Sequence, residues 1–142
     1  MKTKILLTLL TALFIFNTSK TMAQSENIEN TPDKLVVLWT SGDPYVAERV
    51  ALMYTHAAKT SGWFNEVTLI IWGPSAKLVA ENLKIREKLS TMKNDGVVIE
   101  VCIVCANMYG IADDLKKLGY DVKAMGKPLT GYLKSGAKVL TF

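Results

Sequence analysis

The stretch Val97–Gly110, with the sequence VVIEVCIVCANMYG, holds both cysteines of the chain. Its first six residues are apolar except for one glutamate, which predicts a buried β-strand that ends near Cys102. The helical spacing of Met108, Ile111 and Leu115 predicts that a helix follows. The stretch therefore predicts a strand-to-helix junction with two thiols at the turn.

Buried strands and helices alternate through the rest of the chain. Five segments are predicted to be strands: 35–39, 67–72, 97–102, 121–125 and 137–141. Helical spacing predicts helices between them, including either one helix or two nearly aligned helices over 75–93 and a short one over 129–134. This alternation predicts an α/β fold, a three-layer α/β/α sandwich around a mainly parallel five-stranded sheet.

The first helix carries clear sequence signals. Asp43 is predicted to cap it, and Pro44 suits its first position, where a missing N–H costs nothing. The predicted buried face consists of residues at helical spacing, Val46, Val50, Met53 and Ala57, and is widened by Ala47, Tyr54 and Ala58.

The first 23 residues have the features of a secretory signal peptide. Lys2 and Lys4 precede the apolar run 5–16, and Thr21-Met22-Ala23 offers small residues before a cleavage site. The apolar run is too short for a spanning helix, so no membrane span is predicted. We expect an exported protein, periplasmic or secreted, with a signal peptide (1–23), a flexible leader (24–33) and one domain (34–142).

The charge of the chain gives no indication of a nucleic-acid partner. Three of the 17 basic side chains lie in the predicted signal peptide. The remaining 14 are nearly balanced in charge by 13 acidic side chains. No basic run is present that could follow a phosphate backbone. With a single histidine and no phosphate-binding glycine pattern, a hydrolase triad or a nucleotide enzyme is not expected either.

Polar or reactive residues mark three of the predicted strand ends. In parallel sheets, ligands bind at the carboxyl ends of the strands. Cys102 and Cys105 are therefore the predicted catalytic residues. Ser41, Asp43, Trp72 and Asn107 are the predicted substrate-binding residues.

The Cys-x-x-Cys pair allows a disulfide, a metal half-site or a reactive thiol with a neighbour. A straight strand through Cys105 would separate the two Cα atoms by about 10 Å, too far for a disulfide, whereas a turn after Cys102 would bring them within reach. His56 is the one further soft ligand and is predicted to lie on the surface, so no metal site and no cofactor are expected. A cysteine at a helix N-terminus is also expected to have a lowered pKa.

The segment Cys102–Gly110, after a Gly-Val-x-Ile strand and before a Leu-Gly-Tyr-x-Val helix end, resembles the DsrE/DsrF-like family, which includes TusD-type sulfur-relay subunits. The resemblance extends over 34–142. It implies that Cys102, eight residues before Gly110, accepts sulfur as a persulfide, with Cys105 as the extra cysteine of the Cys-x-x-Cys members. Tyr109 stands where relay members usually have arginine.

The resemblance also implies partners. These are a sulfur donor or acceptor protein or a small thiol, and further copies of the chain in a trimer or hexamer. The function expected is that of an exported sulfur-handling protein, either a sulfurtransferase or a sulfur carrier. Two alternatives remain open: a thiol–disulfide redox protein that uses Cys102 and Cys105, and a non-enzymatic oligomeric binding module.

Overall fold

The structure, a computed structural model, describes residues 33–142. The predicted signal peptide and all but the last residue of the predicted leader lie outside the described residues. That last residue, Asp33, belongs to the fold. Its side chain accepts a hydrogen bond from the backbone N–H of Asn65 at 3.1 Å, and its carbonyl oxygen accepts one from Glu66 at 3.2 Å.

Five parallel strands form one sheet, which confirms the predicted fold. The strands are β1 (Lys34–Trp39), β2 (Glu66–Ile71), β3 (Val98–Cys102), β4 (Asp121–Lys123) and β5 (Lys138–Thr141). Their order across the sheet is β4-β3-β2-β1-β5. Trp39 pairs with Ile71, and Ile71 pairs with Val101, so β1, β2 and β3 end side by side.

Helices cover the two faces of the sheet unequally. They are α1 (residues 44–60), α2 (Pro74–Glu81), α3 (Leu83–Asn94), α4 (Ile103–Met108), α5 (Ala112–Lys117) and α6 (Gly126–Lys134). Helices α1 to α5 pack on the first face, and α6 packs on the second. The reason is topological, because the chain steps from β1 to β4 in one direction and then returns through α6 to the opposite edge.

The first face carries the main hydrophobic core. Leu35, Val37 and Trp39 of β1 alternate toward it, as the two-residue repeat of a strand requires. Leu52 of α1 and Leu89 of α3 pack over them and are fully buried. No helix among residues 33–142 is both long enough and apolar enough to cross a membrane.

The second face carries a smaller cluster. Val36, Ile70 and Cys102 project to it from β1, β2 and β3, and Met125 closes it. Helix α6 contributes partly buried side chains to this cluster but no fully buried ones. Cys102 is therefore a member of the thinner of the two cores.

Helix α1 departs from the predicted buried face. Asp43 caps it as predicted and accepts from the N–H groups of Tyr45 and Val46 at 2.6 and 3.2 Å. The segment Ala47–Ala51, however, is a turn of π-helix, which places one extra residue in the helix. Val50 and Met53 are consequently 39% and 57% exposed.

The fully buried residues of α1 are Ala47, Ala51, Leu52, Thr55 and Ala58, of which Ala47 and Ala58 were predicted on the buried face. The prediction was wrong for Val50 and Met53, because an inserted residue rotates the part of the helix that follows it.

The segment after β2 forms two helices. Asn82 has extended dihedral angles and caps α3 by accepting from the backbone N–H of Ile85 at 3.1 Å, which ends α2. The segment after β3 is also divided, at Gly110 with φ +70°. Met108, predicted as part of a buried face, is 80% exposed because α4 ends there.

Candidate functional site

The carboxyl ends of β1, β2 and β3 form a common edge, as predicted from the alternation of elements. The loops after β1 and β2 are in close contact. A Cβ on Gly42 would lie 3.1 Å from the Cβ of Pro74, so glycine is the residue that fits this approach. The loop after β2 also lies beside the end of β3, where the backbone N–H of Gly73 faces the Cys105 sulfur.

Ser75 ties the ends of β1 and β2 together. Its hydroxyl donates to the carbonyl oxygen of Trp39 at 2.7 Å and accepts from the backbone N–H of Trp72 at 3.0 Å. The side chain is fully buried. No local sequence signal predicts this role of Ser75, because its partner Trp39 is 36 residues away along the chain.

The two cysteines lie on opposite sides of the strand-to-helix junction. Cys102 is the last residue of β3 and has extended dihedral angles, φ −71° and ψ 110°, at the N-cap of α4. Cys105 lies in the first turn of α4, so the chain turns directly after Cys102, which is the geometry that brings the two thiols together. Both are free thiols.

Their exposure differs. Cys102 is 2% exposed and packs with Ile70 and Met125 in the core of the second face. Cys105 packs against the same cluster but is only partly buried. Of the two thiols, Cys105 is therefore the one that solvent reaches.

Burial raises the pKa of the Cys105 thiol above its ordinary value. The backbone N–H of Gly73 acts in the opposite sense because a donor beside the sulfur favours the thiolate, and the neighbouring Cys102 thiol raises the pKa further. The expectation of a lowered pKa was wrong for Cys105. The N–H of Cys105 itself, in the first turn of α4, also lowers the pKa, but desolvation by burial is the larger effect.

Gly73 has a conformation that other residues rarely adopt. Its dihedral angles are φ +70° and ψ −135°. This geometry directs the chain from β2 into α2 and places its N–H beside Cys105. The glycine in the Gly73-Pro74 pair was the sequence signal for a turn, but not for a thiol contact.

The four predicted substrate-binding residues have different surroundings. Ser41 accepts a hydrogen bond from the backbone N–H of Asp43 at 3.1 Å, and Asp43 caps α1. Both side chains therefore make hydrogen bonds to backbone groups that are close to them in the chain. Trp72 packs, partly buried, against the cluster that holds Cys102. Asn107 lies exposed on α4.

His56 is less exposed than predicted. Its side chain is 18% exposed and lies between two partners, with Nε2 2.6 Å from Asp95 Oδ2 and Nδ1 2.6 Å from Lys88 Nζ. It joins α1 to α3 and to the turn before β3. Within residues 33–142, no three His, Cys, Asp or Glu side chains lie together in a way that could hold a metal ion.

A buried polar group lies beside the cysteines on the second face. Glu100, two residues before Cys102 on the same side of β3, is 4% exposed. It accepts from Tyr132 Oη of α6 at 3.0 Å and from Lys123 Nζ at 2.7 Å. Glu100 was visible in the sequence as the one charge in an apolar strand, but its partners lie 23 and 32 residues away.

These features define a class of protein. It is a parallel α/β domain with two free thiols at the carboxyl edge of its third strand and one helix over its second face. The model of the DsrE/DsrF-like family matches residues 33–142. The chain belongs to this family.

Two solved structures resemble the chain. One is a conserved protein of unknown function, BT1422, from Bacteroides thetaiotaomicron, with 36% sequence identity and a TM-score of 0.76, covering 82% of this chain and 100% of that chain. The other is the ychN protein from E. coli, with 20% identity and a TM-score of 0.60, covering 77% of this chain and 99% of that chain. The second similarity is one of fold. No curated protein matches the chain.

Proposed function

We propose that this chain handles sulfane sulfur, taking it up on the Cys102–Cys105 pair as a persulfide and passing it to an acceptor. The observation that carries the proposal is the placement of two free thiols side by side at the carboxyl edge of a DsrE/DsrF-like fold. The spacing of eight residues between Cys102 and Gly110 supports Cys102 as the residue that holds the persulfide.

The surroundings of the pair suit this chemistry. A persulfide forms when a thiolate attacks a sulfur–sulfur bond, and a second thiol within reach can then receive the outer sulfur. The apolar packing of Cys102 against Ile70 and Met125 would shield a persulfide from water and small reductants. The donor and acceptor are proposed to be a protein carrying sulfane sulfur or a small thiol.

The experiment compares the wild type with the Cys102→Ser/Cys105→Ser double variant. Reduced protein is exposed to sodium polysulfide, freed of reagent and treated with cyanide, which converts transferable sulfur to thiocyanate. The wild type is expected to release thiocyanate and the double variant none. Equal release from both proteins, or none from either, would exclude the proposal.

Export and self-association are part of the same proposal. The features of residues 1–23 support export, and membership of the DsrE/DsrF-like family supports the trimer or hexamer that we propose. Fractionation of cells that express the full chain, and light scattering of the purified protein, test these two points. A protein retained in the cytosol, or a monomer at every concentration, would contradict them.

The free thiol pair also favours a second candidate, thiol–disulfide exchange. Two adjacent free thiols can close to a disulfide while a partner disulfide is reduced. Equilibration of the protein with glutathione measures the reduction potential of the Cys102–Cys105 pair, which distinguishes an exchangeable disulfide from a structural one. A potential well below about −300 mV would indicate a stable structural disulfide and count against exchange.

A further inference from the structure

The two thiols differ in access from outside. Cys102 is 2% exposed, and its sulfur packs in the cluster closed by Met125, itself 1% exposed, under the face that α6 covers. A donor could reach Cys102 only after this cluster opened. Cys105 is partly exposed at the surface of α4 and needs no such opening.

The surface around Cys105 is open to a large reactant as well as a small one. Val104, next to it in the chain, is 57% exposed, and Met108, one helical turn further, is 80% exposed. A donor that lies on this part of α4 therefore meets the Cys105 sulfur first.

Gly73 supplies a backbone donor that faces this sulfur, in addition to the N–H of Cys105 itself. An N–H beside the sulfur stabilises negative charge on it, whether as the attacking thiolate or as the persulfide anion that forms. The unusual backbone of Gly73, with φ +70°, holds that N–H at the strand end. These N–H groups partly offset the burial that raises the pKa of the Cys105 thiol.

We infer that Cys105 is the thiol that takes sulfur from the external donor and that Cys102 receives it from Cys105. This inference rests on the proposed function and reverses the order that the family spacing alone would suggest. Cys102 remains the residue that holds the sulfur, and Cys105 is the catalytic residue that meets the donor.

The two steps balance without any further reagent. The Cys105 thiolate attacks a terminal sulfur of a polysulfide chain, forming a new sulfur–sulfur bond and releasing a polysulfide dianion one sulfur shorter. The Cys105 persulfide anion takes a proton from water, and the Cys102 thiol then attacks its outer sulfur. The sulfur–sulfur bond on Cys105 breaks, the proton of the Cys102 thiol passes to the Cys105 sulfur, and the persulfide is now on Cys102.

The test uses the full chain as wild type and as two matched single variants, Cys102→Ser and Cys105→Ser. Each is reduced, mixed briefly with sodium polysulfide, alkylated to trap the sulfur and mapped by peptide mass. We expect Cys102→Ser to gain one sulfur on Cys105 as fast as the wild type. Cys105→Ser should gain sulfur about tenfold more slowly or worse, because its remaining thiol reacts only from an opened state.

The opposite result, rapid loading of Cys105→Ser with no loading of Cys102→Ser, would overturn the inference and leave the proposed function intact. Absence of sulfur from the wild type would overturn the proposed function itself. If a serine variant does not fold, timed iodoacetamide labelling of the wild type answers the same question. Cys105 should be alkylated first, and prior alkylation of Cys102 would contradict the inference.

Discussion

At the scale of single residues, the chemistry of the site depends on how unlike its two thiols are. They are three positions apart, yet one ends a strand within a hydrophobic cluster and the other begins a helix at the surface. Burial raises the pKa of the Cys105 thiol, and the backbone N–H groups of Gly73 and of Cys105 itself lower it by less. The sequence motif alone would describe two equivalent thiols.

The raised pKa of Cys105 predicts the pH dependence of its alkylation. Only the thiolate reacts, so the rate of iodoacetamide labelling at Cys105 should keep rising beyond the pKa of an ordinary thiol, about 8.5. In Cys102→Ser the profile should move to lower pH, because the neighbouring thiol that raises the pKa is gone. A labelling rate that is already constant below about pH 8 would contradict this assignment.

The backbone of Gly73 predicts a stability cost for a side chain at that position. Gly73→Ala should lower the free energy of unfolding by about 1–3 kcal/mol, since its φ and ψ lie in a region nearly restricted to glycine. Space is not the cause, because a Cβ there would meet nothing within 4 Å. Urea denaturation measures the change.

Gly131 provides the matched control. It also has open space, but it lies within α6 and has no positive φ. Gly131→Ala should therefore stabilise the protein by roughly 0.5–1 kcal/mol, as expected for alanine in a helix interior. Equal effects of the two substitutions would show that the conformation of Gly73 carries no strain for alanine.

At the scale of elements, the turn of π-helix in α1 decides which of its apolar residues enter the core. The sequence-predicted face contained Met53, but the extra residue places Leu52 inside. Two adjacent apolar residues thus have opposite environments, with Leu52 fully buried and Met53 57% exposed.

Alanine substitutions at these two positions test this reversal. Leu52→Ala should destabilise the protein by about 2–5 kcal/mol, because it leaves a cavity under the helix. Met53→Ala should cost less than about 1 kcal/mol, as surface changes usually do. Thermal or urea unfolding of both variants is the measurement. A larger loss for Met53→Ala would mean that α1 has the regular spacing after all.

At the scale of the whole molecule, helix α6 is the one helix of residues 33–142 that packs on the second face of the sheet. Helix α6 is joined to the sheet by a polar contact, Tyr132 with the buried carboxylate of Glu100, which also binds Lys123. Asp121 and Glu100 together hold the pKa of Lys123 above its usual range, so it stays charged. Lys34 Nζ of β1 lies 4.7 Å from the centre of the Tyr132 ring and makes a cation–π contact with it.

Removal of the Tyr132 hydroxyl tests how far this contact keeps α6 in place. Tyr132→Phe should lower the free energy of unfolding by about 1–3 kcal/mol, because a buried carboxylate loses a donor. It should also speed the alkylation of Cys102, which α6 and Met125 cover. Leu133→Ala, on the same helix but 59% exposed, is the control and should change neither quantity appreciably. An unchanged Cys102 rate in Tyr132→Phe would show that α6 does not limit access.

The sequence by itself determined the elements and their direction. The apolar runs predicted the five strands, Asp43 and Pro44 predicted the start of α1, and the alternation predicted a parallel sheet with the cysteines at its carboxyl edge. These features follow from local rules, because strand and helix repeats and helix caps depend on residues a few positions apart.

The tertiary structure alone decided which thiol is covered, which side of α1 is buried and what partners Glu100 finds. Each of these depends on residues far along the chain: Met125 over Cys102, Gly73 beside Cys105, and Tyr132 with Lys123 around Glu100. Burial and pKa are set by all the atoms that surround a group, and a sequence pattern reports only those nearby in the chain.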